Sequence, residues 1–523
     1  MKRFSKLFAA MLAVALLLTA VISTGAGAAT KEKPLKVNFL WMHSIKNLPK
    51  KSNYTHDWIV ANKNIDFTLS NVVEKQEERM NLMLASRKIP DVVNILTSEV
   101  TNATANKWAD AGLLEPMDKW LKKYPNLCRF CDEAYNKAVY ANKKDGKMYM
   151  IPVNPAASKE NMTGNVGPII REDWLKKVGM KAPTTTDELY EVLKAFRDKI
   201  PDVDGKKIIP ASFNNFRQLF GYSFTGNWNT VSKDHKKVTF YFQDPRLADY
   251  MAFMNKLIRE DLLDKEVLTQ KDDQYLSKLN QGRVGFTVAV TPWMEDANKN
   301  LKAQDKSSRF IPSPPVKHNG TTPVYQEYSP NMFSAIVVSK QFAKNTANME
   351  RLMAFLNWAA SDAGITQLSA GAIGKYYVKG SDGLLVQKPE VKAERNKPNN
   401  TWEQKTGIGD YSFMMSPTSK PVFKQEFTPE VEMAQTVWKS SWAKQDMVFA
   451  MAGVGKAWND KWGNFWSELP KWEAKAFFAD SEKEARDITK DMFDAMNDIG
   501  AKDVVKEKQD LMQAFIKKNP SYK

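Results

Sequence analysis

From residue 35 the chain alternates apolar and polar side chains through Leu35-Lys-Val-Asn-Phe-Leu-Trp41, the two-residue period of a half-buried strand. A loop rich in Lys, Asn and Pro follows. The pattern then predicts a helix near 57–61, a strand over 65–70 and a helix over 74–86, with Met80, Met83 and Leu84 on one face. Pro90-Asp-Val-Val-Asn-Ile-Leu96 returns as a buried strand. Strands alternating with helices in this way indicate an α/β lobe built on a mostly parallel sheet.

Further along, the Asp145-Gly146 turn leads into a predicted strand over 147–152. Ile169-Ile170 forms a short strand running into a helix over 171–178. The next helix opens on a capping box, Thr185 with Glu188, and carries an apolar stripe of Leu189, Val192, Leu193 and Phe196. Helices are expected over 251–259 and 274–280, and a strand over 285–290 that ends at Thr291-Pro292-Trp293. A Pro-rich stretch, 311–330, precedes a strand over 333–339. From Ala347 helices dominate, interrupted by a polar segment, 388–409, that reads as a long surface loop. Trp438, Trp442, Trp458, Trp462, Trp466 and Trp472 recur at spacings that suit buried helix faces. No internal repeat of fixed period is present.

The N-terminus changes the picture of the first 28 residues. Lys2, Arg3 and Lys6 precede an apolar run from Leu7 through Val21, and Ala26-Gly27-Ala28 offers an A-x-A cleavage site. This reads as a secretory signal peptide rather than an anchor, because the run is shorter than the ~20 residues needed to cross a bilayer and lacks a stop-transfer cluster. No later stretch is long and apolar enough to span. The remaining chain is too long for one core and should form at least two lobes, for which 27 Phe, 15 Trp and 16 Tyr supply apolar volume. The net charge is +16, of which the signal peptide carries three. That excess serves solubility or attracts acidic glycans and anionic surfaces; without an aromatic-interleaved basic tract it does not point to nucleic acid.

The chemistry-bearing residues argue for binding. Cys128 and Cys131 lack the second pair or the histidines that a zinc site needs, since His43, His56, His235 and His318 are scattered. Two free thiols or a local disulfide are the readings left open. No nucleophile elbow, phosphate loop, dinucleotide fingerprint or H-E-x-x-H occurs, and no carboxylate pair can be placed among 60 acids. A non-enzymatic protein without cofactor or metal is expected.

At Met80-Asn-Leu-Met-Leu-Ala-Ser86 and Ile89-Pro-Asp-Val-Val93 the chain resembles the extracellular solute-binding proteins of ABC importers. The likeness continues in order through Gly112-Leu-Leu-Glu-Pro-Met117, Asp145-Gly-Lys-Met-Tyr-Met-Ile-Pro152, Ile170-Arg-Glu-Asp-Trp-Leu-Lys-Lys177, Pro183-Thr-Thr-Thr-Asp-Glu-Leu189 and Gln281-Gly-Arg-Val-Gly-Phe286. Among family members it resembles the large alginate-binding proteins and similar long proteins for plant-polysaccharide fragments. The resemblance implies a two-lobed α/β periplasmic-binding-protein-like fold, a cleft between the lobes and a helical C-terminal region. It implies lobe changes near Asn154, Ser329 and Gly374: 29–154 and 329–374 in the first lobe, 155–328 and 375–523 in the second. Three positions depart from the family. Leu18-Thr19-Ala20 is followed by Val21 where lipid-anchored members carry cysteine. Arg87 stands where a glycine is usual, at a cost of about 1 kcal/mol if its backbone is left-handed. Asp202-Val-Asp-Gly-Lys-Lys207 is too short and too basic to supply the 6–8 oxygens calcium takes, so no calcium is expected.

Sugars are held by aromatic platforms and amide, carboxylate or guanidinium partners, at the C-terminal ends of parallel strands. That rule selects Trp41, His43, Asn94, Thr97, Ser98 and Asn154 in the first part of the chain. It selects Arg217, Tyr222, Trp228, Thr291, Trp293, Tyr328, Asn331, Tyr376, Tyr377 and Trp402 in the rest; the family resemblance, whose corresponding turn commonly carries a cleft-facing aromatic, puts Trp293 foremost. Arg217 could pair with a uronate carboxylate or form a structural ion pair. The leading expectation is capture of an oligosaccharide and its delivery to the transmembrane subunits of an ABC permease. The protein is expected to be exported, monomeric and envelope-associated or extracellular, periplasmic where the host has an outer membrane. A wall- or glycan-binding protein without a transport role and a polysaccharide-degrading enzyme are the alternatives.

Overall fold

The computed structural model describes residues 32–42, 48–72, 75–96, 99–129, 132–155, 165–328, 332–395, 401–415, 423–424 and 427–522. The signal segment and Cys131 lie outside the described residues.

One sheet contains β1 (Leu35–Met42), β2 (Ile65–Asn71), β3 (Val92–Leu96), β4 (Ile151–Pro155) and β12 (Met332–Val338), in the order β2-β1-β3-β12-β4. β1 runs parallel to β2 and β3, and β12 is antiparallel to β3 and β4. Alternation sorts its side chains onto two cores. Val37, Phe39, Trp41, Val92, Ile336 and Val338 face one side; Leu40, Met42, Val93, Ile95, Ala335 and Val337 face the other. Burial on both faces explains why these strands carry near-continuous apolar runs.

The second sheet contains β5 (Val166–Arg171), β6 (Ile209–Ala211), β9 (Val284–Val290) and β10 (Phe310–Pro312), ordered β10-β5-β9-β6. A hairpin, β7 (Asn229–Val231) with β8 (Val238–Phe240), packs beside it. The C-terminal helices Lys456–Phe477, Glu482–Asp498 and Ala501–Lys518 complete this lobe. They insert Phe465, Leu469, Phe477, Met492, Val504 and Met512 into the same core as Ile170, Phe286 and Val288. Between the lobes, β11 (Gln326–Tyr328) pairs with β15 (Trp442–Lys444). The fold is thus the expected two-lobed α/β architecture with a helical C-terminal region.

Local signals translate directly. The Thr185/Glu188 capping box opens the helix Thr186–Lys199, and Leu189, Val192, Leu193 and Phe196 are 0–1 % exposed. Arg87 does cap the helix Gln76–Ser86 in the left-handed region, φ 52°, and its Nη2 donates to the Ala111 carbonyl at 2.8 Å. Gly167 permits a close approach: a Cβ there would lie 2.4 Å from the Trp438 ring.

Several expectations are corrected. Residues 147–150 are not a strand; Met148 bonds through its carbonyl to Met117 and through its N–H to Asp118, and ladder pairing begins only at Ile151. The polar segment 388–409 holds two helices, Pro389–Arg395 and Trp402–Thr406. They close a small core of Ala370, Tyr377, Leu385, Val391, Trp402 and Ile408 with the hairpin β13 (Tyr377–Lys379) and β14 (Leu385–Gln387). Tyr411 and Met415 pack in the core beneath the first sheet. Of the six tryptophans, Trp442 lies in a strand, and Trp438 and Trp458 are fully buried.

Candidate functional site

The parallel strands β1 and β3 end at Met42 and Leu96, beside Pro155 of β4 and Met332 of β12. This edge of the first sheet is where the chain leaves for the second lobe. Trp41 and Asn94 are register neighbours there and 1 % exposed. Asn94 Nδ2 donates to Ser334 Oγ at 3.4 Å. Asn154 belongs to β4 at the same edge. His43, Thr97, Ser98 and Asn331 lie outside the described residues.

In the second lobe, Thr291 follows the strand β9, as expected, and opens the helix Thr291–Gln304; its N–H donates to the Asn165 carbonyl at 2.9 Å. Proline in the first turn suits that start, since its missing N–H would have no helical partner. Trp293, still in the first turn, is half-buried, stacked on Phe216 at 5.3 Å and 27° and edge-on to Tyr275.

Arg217 and Tyr222 belong to the helix Arg217–Thr225, not to a loop. Arg217 takes the structural alternative: it is buried and bound to Glu473. Tyr222 is buried, and desolvation, then the nearby Glu327 charge, pushes its hydroxyl pKa well up. Trp228 stacks on Tyr241 at 5.3 Å and on Trp466 at 4.6 Å, contacts that commit its ring to packing within the lobe. Tyr328 sits in β11 against Lys444.

Tyr376, Tyr377 and Trp402 come together on the first lobe. Tyr376 meets Trp402 edge-on at 5.8 Å, and Tyr377 packs on Phe423 at 4.9 Å. Tyr377 and Trp402 line a crevice of about 820 Å³ that both lobes build. Its first-lobe wall includes Lys392, Arg395, Glu403, Phe423 and Lys424; its second-lobe wall includes Glu295, Phe427 and Thr428. Arg395 Nε donates to Glu403 at 2.7 Å, and the guanidinium lies 5.3 Å over the Trp402 ring. Thr428 Oγ1 donates to Glu295 at 3.0 Å. Asp410, next to the crevice residue Gly409, has its carboxyl pushed up to about 6 by burial and by the Glu403 charge. Wide enough for sugar rings and lined by rings, cations and carboxylates, the crevice can hold a polar ligand by stacking and charge-assisted hydrogen bonds.

Sequence reasoning missed Glu295, although it stands one helical turn beyond Thr291. It also missed Lys392 and Arg395, which fell in a segment read as a loop. Among the described residues no cluster of three or more His, Cys, Asp and Glu could hold a metal.

Residues 62–366 match the model of the bacterial extracellular solute-binding proteins. This chain belongs to that family. A polygalacturonan/rhamnogalacturonan-binding protein of Bacillus subtilis (strain 168), YtcQ, is 26 % identical to this solute-binding protein over 373 residues, 70 % of this chain and 71 % of that one. FusA, a fructooligosaccharide ABC transporter substrate-binding protein of Streptococcus pneumoniae, is 27 % identical over 254 residues, 46 % of this chain and 45 % of its own. Among solved structures, FusA with kestose superposes with a TM-score of 0.67 at 17 % identity, covering 92 % of this chain and 100 % of that one. The alginate-binding protein AlgQ2 without calcium gives 0.65 at 18 %, covering 92 % and 98 %. At these identities the superpositions carry the fold. Among the described residues no helix is long and apolar enough to cross a membrane.

Proposed function

We propose that this protein captures an oligosaccharide between its lobes and hands it, unaltered, to the transmembrane subunits of an ABC permease. The observation that carries this reading is the crevice built by both lobes, with Tyr377 and Trp402 on one wall and Glu295, Phe427 and Thr428 on the other. Closure around a ligand would give the lobes a joint outer surface for the permease. Thr291 and Trp293 on the second lobe and Asn154 on the first remain further candidate contacts, whereas Trp41 and Asn94 are packed inside the first lobe. Lys392, Arg395 and Lys424 outnumber Glu295 and Glu403 in the crevice, which favours a sugar bearing carboxylates. Family membership supports a binding rather than catalytic role, and the protein works as an exported monomer that binds no nucleic acid. The first lobe comprises 29–154 and 329–424, the second 155–328 and the segment from 427 through the C-terminal helices.

A thermal-shift panel of uronate and neutral oligosaccharides tests this. Ligand at one hundred times its dissociation constant adds about 2.7 kcal/mol of stability. The expected result is a raised melting temperature with sugar recovered at unchanged length. No shift with any glycan would overturn the reading, and release of reducing ends would replace it with a hydrolase.

A further inference from the structure

Arg217 and Glu473 stand 256 positions apart and form one ion pair inside the second lobe. Glu473 Oε2 accepts from Arg217 Nε at 3.0 Å and from Nη2 at 2.6 Å, with side chains 0 % and 5 % exposed respectively. The third nitrogen, Nη1, donates to Asn215 Oδ1 at 3.2 Å, and the Tyr250 hydroxyl donates to the Arg217 carbonyl at 3.2 Å. Asn214 fixes the other side of the same turn. Its Oδ1 accepts from the Phe216 N–H at 3.0 Å, and its Nδ2 donates to Asp272 at 2.8 Å. What this turn carries is Phe216, the ring on which Trp293 stacks.

A buried ion pair of this kind adds little net stability over an apolar pair, because desolvating two charges offsets their attraction. Its geometry, however, is stiff: moving either partner leaves a charge unpaired in a dry interior. We infer that Glu473 is a positioning residue for the Phe216–Trp293 ledge. A side chain of the C-terminal helix Lys456–Phe477, itself out of reach of any sugar, sets the place and tilt at which the second lobe offers its rings. This rests on the reading of Trp293 as a glycan contact. It gives the C-terminal helices a part in affinity beyond closing the core, since the turn at Asn214–Arg217 has no other long-range ionic anchor among the described residues.

Titration calorimetry with trigalacturonate and with kestose on the purified full-length mature chain tests it. Trp293→Ala is the reference. The double variant Arg217→Met/Glu473→Leu removes the strut while keeping the volume filled. It should retain the wild-type melting temperature and bind about tenfold more weakly, a change of about 1.4 kcal/mol. In the Trp293→Ala background the same double change should cost nothing further, because the ledge it positions is already gone; a general loss of packing would add in full. Asn215→Ala, at an exposed position, should cost a few-fold, the scale of one hydrogen bond. Wild-type affinity in the folded double variant would overturn the inference, and if that variant does not fold, wild-type affinity in Asn215→Ala would do so. If Trp293→Ala itself binds normally, or neither sugar binds the parent, the failure lies with the functional reading instead.

Discussion

Arg217 and Arg395 use the same parts in two surroundings. Each guanidinium bonds a glutamate. Arg217 and Glu473 are sealed in the second lobe, where water reaches neither; Arg395 and Glu403 are 40 % and 30 % exposed on the crevice wall. The difference teaches that an arginine's partner does not define its job; access does. A sealed guanidinium is committed to its carboxylate because parting them leaves bare charge in a low dielectric. One that water reaches can trade partners at small cost, which is what recognition of an acidic ligand requires.

The comparison breaks most visibly on truncation. Glu473→Ala should cost about 3–5 kcal/mol in chemical denaturation, because Arg217 would stay charged without a partner. Equal tolerance of that change and of one at Glu403 would erase the distinction between the two sites. Gly167→Ala probes the same lobe without charge. Overlap with the Trp438 ring should cost about 1–3 kcal/mol, and a neutral outcome would mean that core yields more easily than a sealed strut allows.

A titration sharpens the crevice side. The Asp410 carboxyl, pushed up to about 6, stands above its unfolded value of about 3.9. Between those values the folded chain holds a proton that the unfolded chain has lost. Stability should therefore fall as pH rises from about 4 to about 6 and level off above. The difference between wild type and Asp410→Asn, followed by melting temperature across that window, isolates this slope; parallel curves would contradict it. The smallest effect is expected at Glu403→Ala, no more than about 1 kcal/mol of stability, since water screens the pair it breaks.

Much of the scaffold was legible because its signals are local. The alternation of 35–41, the capping box at Thr185 and the stripe from Leu189 to Phe196 each specify their own element, and the structure builds all three. The crevice wall was not. Pro389–Arg395 and Trp402–Thr406 are seven and five residues long, too short to repeat a helical period, and Val391 and Trp402 are isolated apolar positions in a polar stretch. Arg217 was noticed, but its partner is set by the tertiary fold, and no pattern near residue 217 points to residue 473. The candidate contacts at 43, 97, 98 and 331 lie outside the described residues, and their neighbours Trp41 and Asn94 are packed in the sheet.

The central claim is mechanical, and small-angle X-ray scattering addresses it most directly. Saturating the mature protein with trigalacturonate, or with whichever glycan raises its melting temperature, should lower the radius of gyration as the lobes close. A scattering curve identical with and without bound sugar would contradict the account.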